Sequence, residues 1–265
     1  MKTTSDDQFP EIRDAVRALC AQFPDEYHRK IDEARGYPEE FVQALTQAGW
    51  MAALIPQEYG GSGLSMAEAS VIMEEINRSG GNSGACHGQM YVMNAIVRSG
   101  SEAQKQQYLP QIASGELRIQ SMGVTEPTTG SDTTQLKTTA VKKNGRWVIN
   151  GQKVWSSGAQ FSEWGLLIAR SDRSAPKHKG MTAFMVPMDT PGVEVRPIRQ
   201  MSGSSDFNEV FFTDVRVPES KMLLGEGRGF EIAQGFFRKI CKRRFFRAAA
   251  RYRVRRRPAA RKVTD

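Results

Sequence analysis

Apolar positions in the first 118 residues recur at helical spacing. Ile12, Val16, Leu19 and Phe23 lie three or four apart and predict one buried helix face. Pro38, followed by Glu-Glu-Phe-Val-Gln-Ala-Leu, reads as a helix that begins at a proline and stops near Gly49. Ser65 and Glu68 make an S-x-x-E pair ahead of Val71, Ile72 and Ile76, the signature of a reciprocally capped helix start. Ser101 and Gln104 repeat that spacing before a helix running through Ile112. Between them Tyr91, Val92, Ala95 and Ile96 keep the same period. Tyr59 to Gly63 is a glycine-rich loop, and Leu64 rules out a nucleophile elbow there.

From about residue 119 the period changes. Thr138 to Val141, Arg146 to Ile149, Leu166 to Ala169, Thr182 to Val186 and Glu209 to Phe212 are short runs rich in β-branched and aromatic residues. Turn signals separate them at Lys143-Asn-Gly145, Asp172 to Lys179 and Thr190-Pro-Gly192. Such spacing predicts an antiparallel sandwich or barrel. Helices first and strands second imply an α+β chain of separate domains. The expected division is a helical domain over 1–118, a β domain over 119–218, a connector and helix start over 219–235, and an Arg-rich tail over 236–265. Gly225-x-Gly-x-Gly229 reads as a hinge, because Phe230 breaks the dinucleotide-loop spacing.

Charge changes the picture only at the tail. The chain carries a formal +8, but residues 236–265 hold 13 Lys or Arg and a single acid. The remaining 24 basic and 28 acidic residues leave 1–235 at a net −4. Three scattered cysteines, at 20, 86 and 241, form no CxxC pair and read as free thiols. His28, His87 and His178 lack metal-site spacing. The polar start, Met1-Lys-Thr-Thr-Ser-Asp-Asp, has no apolar signal region, and no run approaches the ~18 apolar residues of a membrane helix. A cytoplasmic protein without a membrane partner is expected.

Two segments stand out chemically: Met122-Gly-Val-Thr-Glu-Pro-Thr-Thr-Gly-Ser-Asp132 and Ile149-Asn-Gly-Gln-Lys-Val-Trp-Ser-Ser-Gly158. In the first, Pro127 blocks further strand pairing and Gly130 allows a tight turn. Such a loop can aim backbone N–H groups and the Thr125 hydroxyl at a planar heteroaromatic ring. Trp155 and Ser157 could face the same ring. The same residues also fit an ordinary hairpin loop with a core tryptophan.

Residues 8–235 resemble the acyl-CoA dehydrogenase family. The landmarks are G-W-M at 49–51, I-P-Q-E-Y-G-G at 55–61, V-T-E-P at 124–127, G-S-D at 130–132, I-N-G-Q-K at 149–153, W-x-S at 155–157, D-T-P-G at 189–192 and F-N-E-V-F-F-T-D-V-R-V-P at 207–218. The resemblance implies FAD as cofactor, held by Met122, Val124, Thr125, Trp155 and Ser157. It implies that Ser131 contacts an acyl-CoA thioester, and that an electron-transfer flavoprotein and further copies of the chain are partners. Met122 stands where an aromatic residue is common, and Thr129 stands where the loop usually has glycine.

The resemblance fades after Gly235. The family's catalytic glutamate lies either far along the third domain or in the helix after the connector. At the second place this chain has Ile240, so no catalytic residue is assigned. Arg251, Arg253 and Arg255 to Arg257, near Ala and Pro, are what GC-rich codons give in an unselected frame. A truncated or frameshifted, catalytically impaired family member is therefore expected, with its oligomerisation in doubt. The alternatives are a flavin monooxygenase on the same scaffold and a non-catalytic protein whose basic tail binds nucleic acid or other anions.

Overall fold

The computed structural model describes residues 8–240 except Lys177, with side chains through Gly235. The Arg-rich tail from Cys241 onward, and every expectation about its packing or binding, lies outside the described residues.

Six helices come first: α1 (Pro10–Cys20), α2 (Asp25–Ala34), α3 (Glu39–Gln47), α4 (Met66–Arg78), α5 (Gly84–Ser99) and α6 (Glu102–Ser114). Their starts are set locally. Pro10 opens α1, and Pro38 precedes α3. Both predicted capping boxes form, Ser65 with Glu68 at α4 and Ser101 with Gln104 at α6. Each satisfies amide donors that the first helical turn would otherwise leave unpaired. Cys20 and Cys86 are buried free thiols.

The α1–α4 contact holds a charge cluster that helical periodicity did not foretell. Arg13 is buried and bonds to Glu75, which is fully buried, and to Glu74 at 3.0 Å. Arg17 reaches the same Glu75 at 2.7 Å. Burial disfavours a charged Glu75, but Arg17 and Arg13 outweigh it and hold the carboxyl below its usual range.

Eight strands follow: β1 (Ile119–Gly123), β2 (Thr139–Lys143), β3 (Arg146–Ser157), β4 (Trp164–Arg170), β5 (Met181–Pro187), β6 (Val193–Ile198), β7 (Phe207–Pro218) and β8 (Met222–Leu223). They form one sheet in the order β6-β7-β3-β2-β4-β5-β8, with β1 added to β4. Most pairings are antiparallel, but β1–β4 and the single β2–β4 pair are parallel.

The expected barrel does not close; the sheet is open. Its two ends explain why. Edge strand β6 carries Glu194, Arg196 and Pro197, which oppose further pairing. The other end, β8, is two residues long. The sheet does fold over itself. Trp147 of β3 meets Phe184 of β5 edge-on at 5.3 Å, inside a core shared with Leu167, Val210 and Val215.

β4 and β5 are buried on both faces. Leu167 and Phe184 point into the sheet's own core, whereas Leu166, Ile168, Met181 and Met185 join the helical core with Val92, Met93 and Ile96. Continuous apolar runs are what such doubly covered strands need. α7 (Gly229–Ile240) packs against β5 and α5. β1 therefore sits between α5 and β4, and its exit at Gly123 opens the loop that holds the first motif.

Candidate functional site

The two motifs meet at the end of β1. Val154 of β3 donates its backbone N–H to the carbonyl of Thr125 at 2.9 Å. One residue earlier in β3, the Lys153 ammonium donates to the Val124 carbonyl at 3.0 Å and to the Glu126 carboxylate at 2.9 Å. Three consecutive loop residues are thus tied to two consecutive strand residues. Glu126 also accepts from the backbone N–H groups of Lys137, at 2.6 Å, and Thr138, at 2.9 Å.

The pair is buried, with Lys153 fully inaccessible and Glu126 nearly so. Burial pulls the Lys153 ammonium down to about 8, with Glu126 opposing the shift. Glu126 feels the same burial penalty, but Lys153 and the two backbone donors hold it below the usual carboxylate range. Gly123 makes room for the lysine stem. A Cβ there would lie 3.1 Å from the Lys153 Cγ and 3.2 Å from a Leu167 methyl.

Trp155 follows directly. Its φ is +60°, a conformation that bulky side chains rarely adopt. It lies where the β3–β7 register shifts, between Lys153 and Ser156, so an extra residue is accommodated there. The indole is 56% exposed and meets Phe207 edge-on at 5.9 Å. Strain and exposure thus coincide at one large aromatic side chain.

The structure places the other candidates as follows. Met122 is half-buried in β1 opposite Leu166, and with Val124 it packs against the main core. Thr125 is half-buried, and among the described residues no partner holds its hydroxyl or its backbone N–H. Ser157 is exposed two residues beyond Trp155 and pairs with Phe207. Ser131 is exposed beyond a tight turn in which Glu126 and Thr129 exchange backbone bonds of 2.9 and 3.0 Å. No hydrogen bond joins Ser131 to Trp155 or Ser157 among the described residues. Residue 240 ends α7, and its side chain lies outside the described residues. Thr129 fits its turn without a left-handed backbone, so glycine is not required there. Lys153 and Glu126 were visible as motif letters only, because their partnership spans 27 residues of sequence.

The arrangement has parallels. The "Acyl-CoA dehydrogenase, N-terminal domain" profile matches residues 6–116, and the middle-domain profile of the same family matches 121–215. The chain belongs to the acyl-CoA dehydrogenase family. It is 35% identical over 212 residues to acyl-CoA dehydrogenase IpdE1 of Mycobacterium tuberculosis, a match covering 79% of this chain and 54% of that protein. Among solved structures it superposes on the Tcur3481–Tcur3483 steroid ACAD with a TM-score of 0.78 at 32% identity, covering 86% of this chain and 60% of that one. The glutaryl-coenzyme A dehydrogenase complex with glutaryl-CoA matches with a TM-score of 0.78 at 28% identity, covering 89% and 61%. The chain spans about half the length of the curated relatives it matches. No helix among the described residues is long and apolar enough to cross a membrane.

Proposed function

We propose that this chain binds FAD through Met122, Val124, Thr125, Trp155 and Ser157, binds an acyl-CoA thioester beside Ser131, and serves α,β-dehydrogenation of that thioester. The observation that carries this is the exposed, backbone-strained Trp155 next to the unpartnered Thr125 hydroxyl and N–H. These groups fit a planar ring with polar edges: an aromatic face to lie against it and donors to meet its carbonyls.

Bound FAD would supply the two-electron acceptor for a hydride. The chain's own contributions are binding and orientation. The Thr125 carbonyl is occupied by Val154, so the residue offers the ring its N–H as a donor and its hydroxyl as a donor or acceptor. Donors there favour a more electron-rich, reduced ring. Ser131 offers an exposed hydroxyl to the polar arm of the thioester.

Removal of the α-proton needs a positioned base, a contribution of roughly 10²–10⁴-fold. The loop's own acids are engaged. Glu126 is held by Lys153, and Asp132 accepts from the Thr134 backbone N–H at 3.1 Å. In α7, Glu231 pairs with Arg228 at 2.8 Å, and position 240 is isoleucine. The 265-residue chain is therefore expected to bind FAD and acyl-CoA with little turnover. An electron-transfer flavoprotein is the acceptor that would complete the reaction.

The test is a fluorescence titration of the purified chain with FAD, repeated for Thr125→Val and Trp155→Ala, then flavin bleaching by acyl-CoA substrates. Saturable binding that both substitutions weaken supports the assignment. Wild-type FAD binding that neither substitution alters would overturn it, as would ordinary turnover of ~1–10³ s⁻¹ for the statement about the base.

A further inference from the structure

Buried ion pairs seldom repay their desolvation, and replacing both partners by neutral groups of similar size is often harmless to stability. Lys153 and Glu126 therefore call for a reason beyond stability. Their geometry supplies one. The Lys153 ammonium bonds on either side of Thr125, to the Val124 carbonyl at 3.0 Å and the Glu126 carboxylate at 2.9 Å. Val154 holds the Thr125 carbonyl between them at 2.9 Å, and the next residue is the strained Trp155. Glu126 is itself anchored by the Lys137 and Thr138 N–H groups, at 2.6 and 2.9 Å, so the ammonium works against a fixed carboxylate. Gly123 leaves the lysine stem its path across β1.

We propose that Lys153, braced by Glu126, is a positioning residue that fixes the Thr125 donors at a set distance and angle from the Trp155 indole. Neither charged group touches the ring that those residues would hold; both act through the backbone. The proposal rests on the flavin assignment for its consequence but not for its geometry.

Three variants separate positioning from stability. Lys153→Met leaves Glu126 charged and unpaired and lowers the melting temperature. The double variant Glu126→Gln/Lys153→Met removes both charges and keeps one amide oxygen for the Thr138 N–H; the Lys137 N–H, which bonds the other carboxylate oxygen, loses its acceptor, so only part of that loss is recovered. It does not restore the grip on the Val124 carbonyl. Arg13→Met breaks the charge cluster of the helical domain and serves as the destabilised control.

Two measurements are made well below melting. One is amide hydrogen exchange of the flavin-free chain, and the other is FAD affinity. Both lysine variants should speed exchange at 126 and 154–157 and weaken FAD binding roughly tenfold, whereas Arg13→Met should leave affinity within about twofold, as expected for distant sites. Unchanged exchange at those two segments in the double variant overturns the proposal, as does recovery of exchange and affinity together with stability. If the wild-type chain binds no FAD, the flavin assignment fails, and the exchange measurement still decides whether Lys153 positions the loop.

Discussion

Each half of the molecule buries an ion cluster, and the two are built differently. In the helical half, Arg13 and Arg17 converge on Glu75 between α1 and α4, with both arginines and the acid carried on regular helix; Arg13 also donates to the Gln8 carbonyl, just before α1, at 3.0 Å. Phe9, whose carbonyl accepts the Arg13 backbone N–H at 3.1 Å, also has a left-handed φ of +57°, but it caps α1 rather than standing in a candidate site. In the sheet half, Lys153 and Glu126 join a strand to a loop, and the next residue in the strand has a left-handed backbone and a half-exposed indole. The cations differ too. Glu75 raises Arg13 above its ordinary value, whereas burial pulls Lys153 down to about 8. The first cluster joins elements whose shape is already set. The second ties a strand to a loop whose own backbone bonds close only the turn from Glu126 to Thr129.

The largest expected effect would break the helical cluster. Glu75→Ala leaves the Arg13 guanidinium buried without its main partner and should cost about 3 kcal/mol in urea unfolding. FAD affinity should hardly move. A loss under about 1 kcal/mol would mean that water or Glu74 satisfies Arg13, and the contrast between the halves would weaken.

Next comes the strained residue. Trp155→Gly removes a side chain from a φ of +60° and should raise stability by about 1 kcal/mol while abolishing most flavin affinity. Opposite signs in the two measurements are the point. A glycine variant less stable than wild type would show that the Phe207 contact outweighs the strain.

Acid should expose both clusters at once. Glu75 and Glu126 sit below the ordinary carboxylate range because their cations overcome the burial penalty. Their stabilisation is complete above the unfolded value of about 4.5 and is lost as pH falls through the depressed folded values. Melting temperature followed from pH 6 to 3 should fall, and less steeply in Glu126→Gln than in wild type.

The smallest effect separates the cations. Lys153 should titrate near pH 8 in the folded chain, read from the chemical shift of its side-chain carbon next to nitrogen. An unfolded lysine keeps its proton to about 10.4, so the unfolded state binds more protons between those values. The Lys153 contribution to stability therefore rises with pH across that window. No such step should come from Arg13.

What the sequence made legible follows from distance along the chain. Both capping boxes and the proline start of α3 rest on contacts within four residues, and they could be read directly. β6 could not. Its Val-Glu-Val-Arg-Pro-Ile run is an exposed edge with no sustained apolar stretch, and only pairing with β7 makes it a strand. The parallel addition of β1 to β4 is a choice of neighbour that periodicity does not encode. At the site, Thr125 and Trp155 were legible as chemistry suited to a ring. Lys153 and Glu126 were not, because a lone Lys or Glu in a strand motif ordinarily reads as solvent-facing. Arg13 was hidden the same way, as a charge between apolar helix positions.

The irregularity in β3 has a consequence in counting. A pleated strand alternates sides, so residues 153, 155 and 157 would all face one way. The additional residue accommodated opposite β7 resets that parity: Lys153 and Ser156 are buried, while Trp155 and Ser157 are exposed. One strand thereby sends an anchor inward and an exposed pair outward within five residues. Inserting or deleting a single residue between 151 and 156 would exchange those roles, burying the indole and stranding the ammonium in water. In this segment, length is held more tightly than composition.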